Sequence, residues 1–251
     1  MEGIELMSSI TTTPTTTTRS SEREISHEGV RNRLLDALTF SSGAIDSISF
    51  LGLGKVFTAF MTGNVAFLGM KIAGSPQPRL VSVLAAMAAF AVGIYLATII
   101  SGELKSGVMW TPRTTMTLGV SLLADLGFVA IWFANSGRPS DGAVPILLAF
   151  WGLAMGLQSG AVRKLKVEAI FTTAATGTFM VLASDVVNWK KTVDERRRAR
   201  FVLISLCIGA TAGAYLLFHA PIFAPVLPLV VTAGVVLTAA RAHWSSDAQK
   251  A

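Results

Sequence analysis

Eight long apolar stretches follow one another along this chain, separated by short polar breaks. They fall at about 34–54, 56–73, 80–102, 114–134, 144–162, 169–188, 200–218 and 222–240. Residues 80–102 and 201–218 carry no Lys, Arg, Asp or Glu. A helix of a soluble core needs a polar face, and these segments have almost none. Uncharged apolar stretches of about 18 residues or more read as membrane spans. The pattern therefore predicts an all-α, polytopic transmembrane helix bundle. The breaks carry the expected punctuation: GSPQPR at 74–79, WTPR at 110–113 and NSGRPSDG at 135–142. The longest, WKKTVDERRRAR at 189–200, holds six basic residues and reads as a cytoplasmic loop.

Composition strengthens this picture. The 251 residues are 52% hydrophobic and 14% charged, against about 25% charged in a soluble domain. A formal net charge of +6 would suggest nucleic acid in a soluble protein. Without a recognition motif it reads instead as basic loops held against anionic lipid, so no nucleic-acid partner is expected. Residues 1–30, with their TTTPTTTT tract, are expected to be a disordered tail without a signal-peptide core. A single transmembrane domain over 31–241 and a polar tail over 242–251 follow. Cys207 is the sole cysteine and excludes an intrachain disulfide. His27, His219 and His243 lie outside the spans or at their ends, and no cluster has metal-ligand spacing. No cofactor is expected.

The chain also resembles itself. VFTAFMTGNVAFLG at 56–69 aligns with IFTTAATGTFMVLA at 170–183, with five of fourteen positions identical. The shared residues are unusual ones: Phe57/Phe171, Thr58/Thr172, Thr62/Thr176 and Gly63/Gly177, besides Leu68/Leu182. GAID at 43–46 precedes the first copy, and GLQS at 156–159 precedes the second with a one-residue slip. Small residues recur every fourth position in the third segment (Ala85, Ala89, Gly93, Ala97) and the seventh (Ser205, Gly209, Gly213). That spacing lines one helix face for close packing. Two halves, about 34–134 and 144–240, are therefore expected, an architecture frequent among secondary transporters.

These same residues carry a family resemblance. GAIDSISFLGLGKVFTAFMTGN at 43–64 and GLQSGAVRKLKVEAIFTTAATGT at 156–178 resemble the two half-signatures of the YoaK family, also called domain of unknown function 1275. The likeness spans about 34–240. The second half reads Thr-Gly-Thr at 176–178 where the family typically has Thr-Gly-Asn. The resemblance implies a multi-pass membrane protein and no settled activity.

Candidate site residues follow from the cost of polar groups in lipid. Asp46 and Asp125 fall near the middle of the first and fourth segments. A carboxylate at the bilayer centre costs about 2.5–3.5 kcal/mol on insertion scales and faces the bundle interior. Thr39, Ser42, Asp46 and Ser49 share one helix face, as do Thr117, Ser121 and Asp125. The functional reading is a proton or cation site; the structural one is a protonated Asp bonded to a neighbouring helix. Thr62, Gly63 and Asn64 either loosen a helix toward a solute or form a tight crossing. Gln158 and Ser159 occupy the position of Asp46 in the second half, where Thr176 and Gly177 repeat the first-half motif. Arg163, Lys164 and Lys166 read as a topology anchor, and Asp185 and Asn188 as interfacial groups.

No nucleophile elbow, zincin motif or phosphate loop appears, so an enzyme is not expected. The leading expectation is a small-solute or ion transporter with proton coupling through Asp46. The alternative is a non-transporting membrane scaffold or assembly partner. The lipid bilayer is the one partner implied directly, and an oligomer is compatible with the pattern. Charge asymmetry places both termini and the 189–200 loop in the cytoplasm, hence a multi-pass protein of the cell membrane. With eight spans, 15 Lys and Arg lie inside against 6 outside; with six, 17 against 4. The eight-span reading is preferred because the second and sixth segments, at roughly 18–20 residues, are long enough to cross; the alternative is six spans with those two segments re-entrant.

Overall fold

The computed structural model describes residues 16–102, 110–163, 178–180, 183 and 193–248. Seven α-helices lie within them: α1 (Thr16–Gly52), α2 (Met61–Ile72), α3 (Leu80–Ser101), α4 (Pro112–Ala134), α5 (Ala143–Arg163), α6 (Val193–His219) and α7 (Val226–Ala248). A single 3-10 turn, Pro221–Phe223, precedes α7. No strand occurs among the described residues.

Helix starts follow local chemistry. Thr111 caps α4 by accepting a hydrogen bond from the Thr114 N–H at 3.1 Å, with Pro112 in the first turn. An N-cap hydroxyl satisfies one of the orphan N–H groups, and proline fits the first turn because it has none to satisfy. At the other end, the Trp132 indole N–H donates to the Pro221 carbonyl at 3.1 Å, tying the end of α4 to the turn before α7.

The bundle buries polar groups within an apolar core and exposes large apolar side chains on its surface. Thr39, Ser41, Ser42, Asp125, Gln158 and Thr232 are buried. Val81, Leu84, Val92 and Ile99 of α3, and Ile204, Ile208 and Phe218 of α6, are exposed. A continuous exposed apolar surface of this kind needs lipid, because water would penalise it. Inside, Phe128 stacks on Trp151 at 3.4 Å between ring centroids, and Ile45, Ile48, Trp132 and Met155 join the same cluster. The principal interfaces are α3 with α5 and α1 with α6, with α7 seated against α1 and α4.

Among the described residues, six stretches are long and apolar enough to cross a bilayer: Gly29–Gly52, Leu80–Ser101, Pro112–Ala134, Ala143–Arg163, Arg197–His219 and Pro221–Ala242. The polytopic helical bundle is as expected, but the second segment is not a span. Its helix begins only at Met61 and runs 12 residues. At 1.5 Å per residue that is roughly 18 Å, short of the roughly 30 Å hydrocarbon layer. Residues 53–60 are apolar because Leu53, Val56 and Ala59 are buried in the core, not because they form a helix facing lipid. The preference for eight spans therefore fails at this segment. The sixth segment lies outside the described residues, apart from 178–180 and 183. α1 begins at Thr16. A helix already nucleated by a span extends at little cost, whereas an isolated one must form its own nucleus.

Candidate functional site

The break before α2 builds the site. Gly54 and Lys55 take positive φ (85° and 64°), which turns the chain back on itself after α1. Glycine adopts that conformation freely, and Lys55 does so in a single exposed position. The returning strand of chain, 56–60, passes Asp46, which lies six residues before the end of α1 and so nearer the end of its span than the sequence suggests. Asp46 Oδ1 accepts three hydrogen bonds there: from Thr58 N–H at 2.9 Å, Ala59 N–H at 2.9 Å and the Thr58 hydroxyl at 3.3 Å. Successive N–H groups aimed at one anion form a nest, and here the anion is supplied by the protein itself.

Asn64 grips the same stretch from the other side. Its Oδ1 accepts from the Phe57 N–H at 3.1 Å, and its Nδ2 donates to the Phe57 carbonyl at 2.6 Å. Of the α2 side chains, Asn64 is the buried one. Asp46 and Asn64 thus satisfy the backbone of residues 57, 58 and 59, which no helix ladder serves. Irregular backbone at membrane depth persists only when its polar groups find such partners. Gly63 sits beneath the rings of Phe57 and Phe60, where a Cβ would approach the Phe60 ring to 2.7 Å. Thr62 is exposed. The motif is accordingly a device that folds a re-entrant turn onto Asp46; it is not a kink within a continuous helix.

Beside this turn lies a cavity of about 350 Å³. Asp46, Ser42 and Ser47 of α1 border it, with Phe50, Phe57 and Phe60 around them and Leu206 and Ala210 of α6 opposite. Phe57 stacks on Phe50 at 4.7 Å and meets Phe60 edge-on at 5.2 Å. The Ser47 hydroxyl is bound to the Ala44 carbonyl at 2.9 Å, while the buried Ser42 hydroxyl has no hydrogen-bond partner.

Asp125 belongs elsewhere. It is fully buried on α4 with Thr232 of α7 as its polar neighbour, although neither carboxylate oxygen reaches regular hydrogen-bond geometry. Thr232 pairs in turn with the Ser41 hydroxyl at 3.2 Å. Gln158 donates to the Leu38 carbonyl at 3.3 Å, joining α5 to α1, and its Oε1 and the Ser159 hydroxyl lack partners. Neither Asp125 nor Gln158 nor Ser159 borders the Asp46 cavity. Thr39 and Ser49, expected to accompany Asp46, bond instead to carbonyls of their own helix, Leu35 and Asp46. Thr176, Gly177, Lys164, Lys166, Asp185 and Asn188 lie outside the described residues, and Arg163 is exposed. Thr58, the three phenylalanines and Thr232 were absent from the expected site. The Phe-Thr doublet shared by both copies was the available signal for Phe57 and Thr58.

The profile of a family described as protein of unknown function (DUF1275) matches residues 34–239, which covers the bundle and both half-signatures. The chain belongs to that family. It is also similar to the UPF0700 transmembrane protein YoaK of Bacillus subtilis (strain 168), with 32% identity over 220 residues, 83% of this chain and 94% of that protein. No solved structure matches it. Membership agrees with the resemblance drawn from the two motifs, and it identifies a multi-pass transmembrane protein without assigning an activity.

Proposed function

We propose that this protein is a secondary transporter of a small solute, with the cavity beside Asp46 as the solute site. The observation that carries the reading is a carboxylate within a span, facing a broken segment and bordering a cavity. Discontinuous segments whose freed backbone groups line a cavity are the recurrent binding element of secondary transporters. Protonation of Asp46 would remove the charge that holds the Thr58 and Ala59 N–H groups. Release of the turn and uptake of a proton would then share one group, which provides a route for proton coupling.

An inverted relation between the two halves fits the same reading. Gly43 of α1 abuts the Leu206 backbone of α6, and Gly156 of α5 abuts the Phe90 backbone of α3. Gly209 abuts Phe40, and Gly93 abuts Leu153. Gly43 and Phe40 are each 113 positions before Gly156 and Leu153, while Phe90 and Gly93 are each 116 before Leu206 and Gly209. The two crossings are thus counterparts, each joining one half to the other. If the sixth segment, which lies outside the described residues, does not cross, each half has three spans and the halves insert with opposite orientation.

Uptake into liposomes by the purified protein, with and without a pH gradient, tests the transport reading. Solute accumulation above protein-free vesicles, enhanced by the gradient and lost in Asp46→Asn, is the expected result. A well-folded protein that moves no member of a broad solute panel would favour the scaffold reading, in which Asp46 only anchors the turn.

Orientation in the cell membrane follows from charge. On the six-span arrangement only Lys55, Lys71, Arg79 and Arg138, among 21 Lys and Arg, fall on the side opposite the termini. The positive-inside rule makes that side external. In a Cys207→Ser background, single cysteines at Lys55 and Arg79 are both expected to react with an impermeant maleimide on intact cells. A cysteine within 189–200 should react only after permeabilisation. Labelling of Lys55 and Arg79 from opposite faces would reject the arrangement.

A further inference from the structure

We infer that the cavity beside Asp46 binds a small organic ammonium ion, a protonated amine with a short apolar body. This names the solute class for the transport reading and rests on it for its purpose, though the binding itself requires no transport.

The sign of the charge comes first. Among the described residues, Asp46 is the only ionisable side chain bordering the cavity. The Thr58 and Ala59 N–H groups, which an anionic solute would need, are already taken by Asp46 Oδ1. An arriving carboxylate would find no free backbone N–H at the turn, only the Ser42 hydroxyl, and would face a like charge. The Oδ2 atom takes none of these three bonds; the Phe60 N–H also approaches the carboxylate, and a cationic group would share the carboxylate with these donors.

The wall comes second. Phe50, Phe57 and Phe60 border the same space as a stacked and edge-to-face cluster. Phenyl faces attract ammonium groups through the ring quadrupole and receive an alkyl chain by ordinary apolar contact. A hydrated metal ion gains little from such a wall, since hard cations demand a shell of oxygen ligands.

Ser42 supplies an independent third observation. It borders the cavity, is 1% exposed, and its hydroxyl lacks a partner. A buried hydroxyl left unpaired is costly, and it can accept an N–H from an ammonium lying between it and Asp46. The volume, about 350 Å³, lies at the small end of ligand cavities and suits one compact molecule.

Butylammonium, butan-1-ol and butyrate share a chain and differ in charge, so they test the inference directly. Binding to the full-length protein in lipid nanodiscs would be measured by calorimetry at neutral pH. Butylammonium is expected to bind about tenfold or more tightly than butan-1-ol, with no measurable binding of butyrate. Asp46→Asn, which keeps an acceptor for the turn, should erase the preference for the cation. Ser42→Ala should weaken butylammonium several-fold and leave butan-1-ol unchanged. Because Asp46 also holds the turn, Phe60→Leu serves as a second variant: it keeps apolar area, removes the ring, and should reduce the cation preference several-fold. Equal binding of the amine and the alcohol, tighter binding of butyrate, a cation preference that survives in Asp46→Asn, or no binding by any probe would overturn the inference. Cation binding with this profile but no flux in liposomes would sink the transport reading alone. Uptake of a neutral or anionic solute, without ammonium binding, would sink the ammonium inference alone.

Discussion

Asp46→Ala is expected to destabilise the protein by about 3–6 kcal/mol, while Asp46→Asn loses much less. Alanine removes the acceptor of three hydrogen bonds and leaves the Thr58 and Ala59 N–H groups buried beside it. Hydrogen bonds to a charged acceptor contribute about 1.5–3 kcal/mol each and do not add fully, and each buried unpaired donor costs about 1–3 kcal/mol. Asparagine retains a carbonyl oxygen at the same place and forfeits only the charge. Unfolding in mixed micelles, followed by circular dichroism across a denaturant series, measures both variants. A gap between them of more than about 2 kcal/mol is the expected result. Equal stability of Asp46→Ala and the unsubstituted protein would show that the turn is held by Asn64 and packing alone. The pair also separates two duties of one carboxylate, because Asp46→Asn should keep the fold and lose uptake.

The second large effect is expected at the helix crossings. Gly43→Leu and Gly156→Leu should each reduce the folded, detergent-extractable protein severely, and to a similar degree. In both positions a Cβ would run into backbone, at Leu206 on α6 and at Phe90 on α3. Backbone cannot move aside as a flexible side chain can, so the paired helices must separate. Overpacking costs about 1–3 kcal/mol where neighbours can adjust, and occasionally more. Close approach through small residues is a main source of attraction between helices in lipid, where no hydrophobic force joins them. Gly234→Leu on the exposed face of α7, where nothing lies within 4 Å of the added Cβ, is the control and should accumulate normally. Fluorescence size-exclusion chromatography of tagged variants reads the outcome. Loss at Gly43 with tolerance at Gly156 would break the proposed equivalence of the two crossings.

The sequence alone determined the solvent of this protein and the places of the six long apolar helices among its described residues, but not that the second segment falls short of a span. Residues 80–102 and 201–218 favour lipid because they carry no charge and few polar groups, and their helices appear at Leu80–Ser101 and within Val193–His219. The small residues at Gly93 and Gly209 announced close crossings, since a four-residue period lines one face whatever the partner. Two half-signatures sufficed to place the family. Tertiary structure decided the rest. Hydropathy records the free energy of burial and not the direction of the backbone, so 56–73 looked like a span although 56–60 is a turn in which Val56, Thr58 and Ala59 are buried. Only the fold revealed that Asp46 and Asn64 pair with the backbone of Phe57, Thr58 and Ala59, because a side chain meeting a main chain twelve residues away leaves no periodic trace. The same holds for the separation of Asp46 from Asp125. Both carry the same cost in lipid and read alike along the chain, but one answers that cost with a re-entrant turn and the other with Thr232 of a helix more than a hundred residues distant.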